Sequence, residues 1–303
     1  MPSFFLTVAA LLLVVGVSMT VAHWLRHRSM LRAPRITAVE LDALEARLAA
    51  AGLPCLWVTL LPAARGSATA SGIGGAPYID SMRHKWPVRG ENKQPMLFLA
   101  QINFAETPPI EDFPRKGLLQ IFVLADDRGQ IQATERKTDR VIRWFPEPEG
   151  DLTLTPPAAL TPIRKPGTFS KRVIRDGLGM AFEVNEMAAN PYNWPYIDQL
   201  PNENERLPEN DSLKDRLDKF FKESEISGDQ LEGKNWIGGH PRFVQQDVRS
   251  EPRLRKLNRV LLHLTSTHDD INFGDGGELN LMISRKDLRQ ANFDEAFCTW
   301  DCS

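Results

Sequence analysis

The chain has 303 residues, of which 42% are hydrophobic and 25% are charged, so it can bury a sizeable core as one large domain or two fused domains. Its formal net charge is −2, and the first 35 residues hold four arginines and no acid, so the rest carries −6. This mildly acidic body excludes the basic surface of a nucleic-acid-binding protein. Three cysteines, Cys55, Cys298 and Cys302, do not make an extracellular disulfide framework, which agrees with a reducing compartment.

The N-terminus carries an apolar run without a charge, "FFLTVAALLLVVGVSMTVA" at residues 4–22. As a helix it would be about 28 Å long, close to the thickness of a hydrocarbon layer. Four arginines follow it: Arg26, Arg28, Arg32 and Arg35. Positive charge keeps its end of a span in the cytoplasm, so residues 1–35 are predicted to be a transmembrane anchor with a basic juxtamembrane segment. The chain would then be a single-pass inner-membrane protein whose C-terminal domain is cytoplasmic; a signal peptide cleaved after Ala22 is the alternative.

A helix and a strand are predicted directly after this segment. Thr37 and Glu40 have the spacing of a capping box, in which each side chain accepts from the other residue's backbone N–H. Apolar residues recur on one face of the helix, and Gly52 suits its C-terminal end. The run "CLWVTLL" from Cys55 then indicates a buried strand.

One short motif occurs twice, as "IGGAP" at 73–77 and "IGGHP" at 237–241. In each case 24 residues separate the isoleucine from a leucine in an apolar run, Leu97 in "MLFLAQI" and Leu261 in "VLLHLTS". A strand that begins with glycine follows each run, "GLLQIFV" and "GELNLMI". Three similar elements in one order predict an internal duplication. The glycine pairs would form structural turns: Gly74, Gly75, Gly238 and Gly239.

The predicted fold class is α+β, with duplicated, mostly antiparallel β units related by a pseudo-twofold axis, a few packed helices and one N-terminal transmembrane helix. The domain would span residues 36–303, with units at about 53–145 and 235–303. Residues 146–234 would be a proline-rich and helical insert. Its helix "LKDRLDKFFKESE" has four apolar residues on one side, for docking on the body or in a partner's groove: Leu213, Leu217, Phe220 and Phe221.

Several of these stretches together resemble a known family. They are "SGIGGAPYI", "PMLFLAQINFAE", "GLLQIFV", "IGGHPRFVQQDVR", "INFGDGGELNLMI" and the terminal "WDCS". In this order they resemble the YwqG-like family of bacterial proteins, which is labelled a domain of unknown function. The resemblance covers roughly residues 37–303 and implies a duplicated α+β fold. It supplies no established catalytic residue, cofactor or substrate, and the apolar N-terminus departs from the short members of the family.

Signatures of well-known chemistry are missing from the sequence. There is no phosphate-binding loop, no nucleophile elbow and no zinc-binding H-E-x-x-H helix. The stretch "GIGGAP" lacks the third glycine of a dinucleotide fingerprint, so no cofactor is expected. Cys298 and Cys302 fit a buried terminal segment, with metal or redox chemistry as the alternative.

His240 is a candidate catalytic residue, because the first unit has Ala76 at the corresponding position. Asp247 and Arg249 are near in sequence, and His263 is predicted to lie on a neighbouring strand. A histidine with a carboxylate and an arginine binds anions or moves protons. The alternative is a histidine that is hydrogen-bonded inside the fold and serves its packing.

A second candidate site is the oxygen-rich stretch "HDDINFGDGGE" at 268–278. Four carboxylates there could bind Ca²⁺ or Mg²⁺: Asp269, Asp270, Asp275 and Glu278. Their spacing does not match a calcium-binding loop, and the glycines also fit a tight turn between two strands.

Three classes of function remain from the sequence. The anchor and the missing motifs favour a membrane-anchored cytoplasmic binding or interaction protein, with a protein partner of unknown identity. The first alternative is a sensor of a small ligand or metal ion in the groove between the lobes. The second is a hydrolytic enzyme around His240 and Asp247.

Overall fold

The computed structural model describes residues 37–89, 93–126, 129–131, 137–160, 167–188, 212, 215–216, 219, 231–267 and 269–303. The helices in this part are short: α1 (Ala38–Ala49), α2 (Lys171–Asp176) and α3 (Arg285–Arg289). The strands are β1 (Leu53–Leu61), β2 (Gly72–Ile73), β3 (Val88–Arg89), β4 (Gln94–Pro95), β5 (Leu97–Asn103), β6 (Leu118–Val123), β7 (Arg140–Phe145), β8 (Leu178–Met187), β9 (Asn235–Gly238), β10 (Arg259–Thr265), β11 (Glu278–Ile283) and β12 (Phe297–Asp301).

One antiparallel sheet contains ten of these strands, in the order β12-β11-β10-β9-β1-β8-β2-β5-β6-β7. The strands β3 and β4 pair separately. At the centre β1 pairs over its whole length with β8, with Thr59 opposite Ala181. Four strands lie on each side of this pair, and on each side they follow one another outward in chain order: β9, β10, β11 and β12 beside β1, and β2, β5, β6 and β7 beside β8. We call β1, β2, β5, β6 and β7 the first half and β8 to β12 the second half.

The two halves exchange their first strands at the centre of the sheet. Strand β1 pairs with β9 of the second half, and β8 pairs with β2 of the first half. Each half also has a break in register at the corresponding place, at Leu99 in β5 and at Leu261 in β10. The structure therefore aligns Leu261 with Leu99, two residues away from the match with Leu97 that the spacing predicts.

The repeated glycine pairs form turns with equivalent backbones. All four glycines have positive φ, +58° and +70° for Gly74 and Gly75 and +77° and +61° for Gly238 and Gly239. The Gly75 N–H donates to the Val173 carbonyl at 2.9 Å, and the Gly239 N–H donates to the Pro54 carbonyl at 3.0 Å. Each turn thus packs against the chain at the start of the other half. Side chains there would be strained, and a Cβ on Gly74 or Gly238 would collide with the carbonyl oxygen of Val173 or Pro54.

The burial of the strands explains why apolar and polar residues do not alternate along the apolar runs. Every residue of β5, β6, β10 and β11 is buried, so both faces of these strands are covered. The sheet curves until its edges approach each other. Phe293, which lies between α3 and β12, contacts Trp144 of the opposite edge strand β7, with ring centroids 4.8 Å apart.

The predicted fold class, α+β with a transmembrane helix, is wrong. The described residues form mostly one large antiparallel sheet, because the apolar runs pair with one another as strands and leave only short helices around them. In this part of the chain no helix is long and apolar enough to cross a membrane. The apolar run at residues 4–22 lies outside the described residues.

The structure gives a different role to part of the predicted insert at 146–234. This stretch supplies β8, one of the two central strands. Of the predicted helix, the described residues Asp215, Arg216 and Lys219 are helical, and so is Ser212 directly before it. Arg216 forms an ion pair with Asp42 of α1 at 2.6 Å. The four apolar residues predicted to dock lie outside the described residues. The capping box of Thr37 and Glu40 forms at the start of α1.

Candidate functional site

A cavity of about 830 Å³ opens in the second half. Its walls come from the segment before β9, the chain after the second glycine turn and the connection from β10 to β11, and they include Glu232, Arg242, Val244, Asp275 and Glu278. The lining therefore belongs to one half, and the cavity is not the groove between lobes that the sequence predicts.

Neighbouring strands bring the charged residues of this site together. Glu278 is the first residue of β11 and pairs with Thr265 of β10 on one side and Asp301 of β12 on the other. Arg242 directly follows the IGGHP turn, and its guanidinium forms an ion pair with Oε1 of Glu278. The side chain of Glu278 is only 3% exposed, so this charged pair lies at the inner wall of the cavity.

The imidazole of His263 lies behind Glu278 and is held in one orientation. Its ring is completely buried and stacks on Trp236, with centroids 3.5 Å apart and planes at 12°. Its Nδ1 lies 3.0 Å from Oδ1 of Asn280, whose Nδ2 donates to the Arg242 carbonyl at 2.5 Å. Because the amide nitrogen of Asn280 is used in this way, its oxygen accepts from Nδ1 of His263. In the neutral ring Nε2 is then an acceptor.

Two buried acceptor atoms face each other in this arrangement. Nε2 of His263 lies 3.7 Å from Oε2 of Glu278. Among the described residues neither atom has a hydrogen-bond partner. Buried polar atoms are normally hydrogen-bonded, and one left without a partner costs about 1–3 kcal/mol. The site therefore lacks one hydrogen atom or donor group between the two side chains.

Burial decides where protons reside in this cluster. It raises the pKa of Glu278 to about 7, against the opposing charge of Arg242, and the negative charges of Asp301 and Glu232 act in the same direction. Burial also lowers the pKa of His263 to about 3 and raises that of Asp301. His263 is therefore neutral near pH 7, and Glu278 exchanges its proton in that range.

The first half has apolar and aromatic side chains at three of these positions. Tyr78 follows the first glycine turn as Arg242 follows the second, and Leu118 pairs with Phe145 as Glu278 pairs with Asp301. One hydrogen bond is the same in both halves: Nε2 of Gln120 donates to the Tyr78 carbonyl at 2.8 Å, as Nδ2 of Asn280 donates to the Arg242 carbonyl. Tyr78, Leu118 and Phe145 form a buried cluster. The charged site thus occurs in one half of a repeated framework.

The structure places His240 inside the fold. This residue is 3% exposed, and its Nε2 lies 3.1 Å from the Ala51 carbonyl. Burial lowers its pKa to about 3. Asp247 instead caps a turn of 3₁₀ helix and accepts from the buried Arg249, with an Nη2–Oδ2 distance of 2.6 Å. His240 thus has a backbone carbonyl as its ring partner.

The predicted metal ligands are also separated. Asp270 accepts from Ser170 at 2.7 Å and pairs with Arg172. Asp269 and Asp275 are exposed, and Glu278 is bound to Arg242. In the part of the chain that the structure describes, no group of three histidine, cysteine or acidic residues could hold a metal ion. The three cysteines are free thiols, and burial raises the pKa of Cys55 to about 12.

Sequence reasoning singled out Glu278 and His263 but missed Arg242, Asn280 and Asp301. A signal was present in the repeat, since the residue after each IGG-x-P motif is Tyr78 in one case and Arg242 in the other. No such motif marks Asp301, which joins the site only through the pairing of β11 with β12.

Comparison with known proteins supplies the family but no activity. None of the curated proteins matches the chain. A family described as a domain of unknown function (DUF1963) matches residues 71–302. This range contains both glycine turns and nine of the ten strands of the large sheet, and it includes Arg242, His263, Glu278 and Asp301. The chain therefore belongs to the DUF1963 family.

Proposed function

We propose that this protein is a binding protein that holds a small polar molecule in the cavity of the second half. The observation that carries the proposal is that charged residues stand where the first half has Leu118, Tyr78 and Phe145. Two of these charged residues, Glu278 and Arg242, line the cavity. Within its family, the motifs quoted above support placing the chain with the YwqG-like proteins.

The energetics of the two halves support a role in binding. The first half shows that an apolar cluster fits this framework, so the fold does not require charges there. Buried charges cost free energy unless they are paired and hydrogen-bonded, and Oε2 of Glu278 lacks a partner among the described residues. A ligand that supplies a donor to this oxygen would offset that cost.

The other classes have less support. Ser266 lies on the cavity wall, but its hydroxyl donates to the Gly277 carbonyl and accepts from the Phe273 N–H, at 2.9 and 3.0 Å. This leaves it a poor nucleophile for hydrolysis. A protein partner stays a prediction. A place at the inner membrane with a cytoplasmic domain also stays a prediction, because residues 4–22 lie outside the described part.

The proposal is tested by filling the cavity. Val244→Trp places an indole in the cavity wall, and Val184→Trp makes the same change on β8 at a residue that is 60% exposed. A thermal-shift screen of the full chain against small polar metabolites should find compounds that stabilise the wild type and Val184→Trp. The same compounds should fail to stabilise Val244→Trp. Equal responses of the two variants would contradict binding in this cavity.

A further inference from the structure

Glu278 lines the cavity, and its Oε2 faces the imidazole of His263 behind the wall; these two acceptors specify what a ligand must bring. Oε2 of Glu278 and Nε2 of His263 are 3.7 Å apart, and among the described residues neither receives a hydrogen bond. Asn280 holds His263 with Nδ1 as the donor, so the ring offers only an acceptor toward Glu278. A donor group is therefore needed here, and it is either a proton on Glu278 or a group of the ligand.

The charges that face Glu278 determine the sign of that group. Arg242 approaches from the turn after β9, Asp301 from β12, Glu232 from the segment before β9, and the neutral His263 from β10. One cation and two carboxylates thus face Glu278, and Arg242 already binds Oε1 of Glu278. An anion would meet this excess of negative charge, whereas a cation would be attracted by it.

We propose that the cavity binds a primary amine, whose ammonium group bonds to Oε2 of Glu278 and displaces the proton that this carboxyl holds in the free protein. The inference rests on the proposed function, since it names the chemical class of the ligand in the same cavity. The positive charge of the ammonium replaces that of the proton, which leaves to solvent. An ammonium group carries three donors, so it can satisfy Oε2 and still bond to a second acceptor in the wall.

Titration calorimetry on the full chain tests the class of ligand. The probes are butylamine and putrescine, with butanol and butyrate as the matched neutral and anionic compounds. We expect the amines to bind and the other two to fail. Because Glu278 must lose its proton, amine affinity should rise about tenfold per pH unit from about pH 5 until it levels near pH 7. In that range, heats measured in two buffers of different ionisation enthalpy should show close to one proton released per amine.

A variant of Glu278 provides the second measurement. Glu278→Gln keeps the shape of the side chain but cannot ionise, so amine affinity should fall tenfold or more and its pH dependence should disappear. Glu183→Gln makes the same change at an exposed residue of β8 and should bind amines as the wild type does. If Glu278→Gln does not fold, proton release by the wild type still decides the matter, because amine binding without proton release in the acidic range would overturn the proposal.

Failure of the ligand class and failure of the cavity give different results. If butyrate or butanol binds in place of the amines, and Val244→Trp abolishes that binding, the amine assignment is wrong and the cavity still binds ligands. If no probe binds, the amine assignment is wrong. If Val244→Trp also behaves as Val184→Trp throughout the metabolite screen, the proposed function is wrong as well.

Discussion

Glu278 in the second half occupies the register position that Leu118 occupies in the first. Each begins the strand after the bulged strand. Each also lies opposite the last residue of the edge strand on its side of the sheet, Phe145 for Leu118 and Asp301 for Glu278. Both side chains are buried. The same backbone framework therefore holds an apolar residue in one half and an ionisable one in the other.

This correspondence predicts that the first half cannot accept the second half's charge by itself. Leu118→Glu would bury a carboxylate against Tyr78 and Phe145 with no arginine in the place of Arg242, and we expect a loss of several kcal/mol in the free energy of unfolding near pH 8. Denaturant unfolding measures it. Leu152→Glu, at a leucine that is 45% exposed, is the control and should cost about 0.5 kcal/mol or less. A Leu118→Glu protein as stable as this control would contradict the role given to burial.

The raised pKa of Glu278 predicts a pH-dependent stability. Burial lifts it from 4.5 to about 7, so between these values the folded protein keeps a proton that the unfolded chain has lost. The contribution of Glu278 to stability therefore falls as pH rises through this window, by up to about 3 kcal/mol. Glu278→Gln should lack this loss, whereas Glu183→Gln should retain it. The measurement is denaturant unfolding at several pH values, and parallel profiles for the wild type and Glu278→Gln would refute the assignment.

The glycine turns predict a large effect from a single methyl group. A Cβ on Gly238 would lie 2.6 Å from the Pro54 carbonyl oxygen, and the residue has a φ of +77°. Gly150 has a similar φ of +82° but no atom within 4 Å of a Cβ. Gly150→Ala should therefore cost about 1 kcal/mol from backbone strain, and Gly238→Ala about 3 kcal/mol or more because of the added clash. Thermal unfolding compares them, and equal losses would show that the close approach is unimportant.

His240 is expected to act in stability. His240→Ala removes the ring whose Nε2 lies 3.1 Å from the Ala51 carbonyl, and this should cost about 1–3 kcal/mol at neutral pH. Burial lowers the pKa of His240 to about 3, so the contribution of this ring to stability is lost as pH falls from about 6.5 toward that value, and the difference between the two proteins should shrink. Met82→Ala, at a residue that is 69% exposed, serves as the control. An unchanged unfolding midpoint together with lost ligand binding would make His240 a functional residue.

Local patterns in the sequence were sufficient for local structure. The capping box at Thr37 and Glu40 specifies the start of α1, because it depends on two residues three positions apart. The glycine pairs indicate turns for a similar reason, since few other residues adopt a positive φ without strain. The repeat also shows that two parts of the chain correspond.

Only the tertiary structure decided the fold class and the site. Whether an apolar run is covered by a helix or by another strand depends on long-range pairing, and the central pairing of β1 with β8 joins residues that are more than a hundred positions apart. For the same reason Arg242, His263, Glu278 and Asp301 are scattered along the sequence and meet only where β10, β11 and β12 lie side by side. The raised pKa of Glu278 also depends on this arrangement, because burial and the neighbouring charges set it.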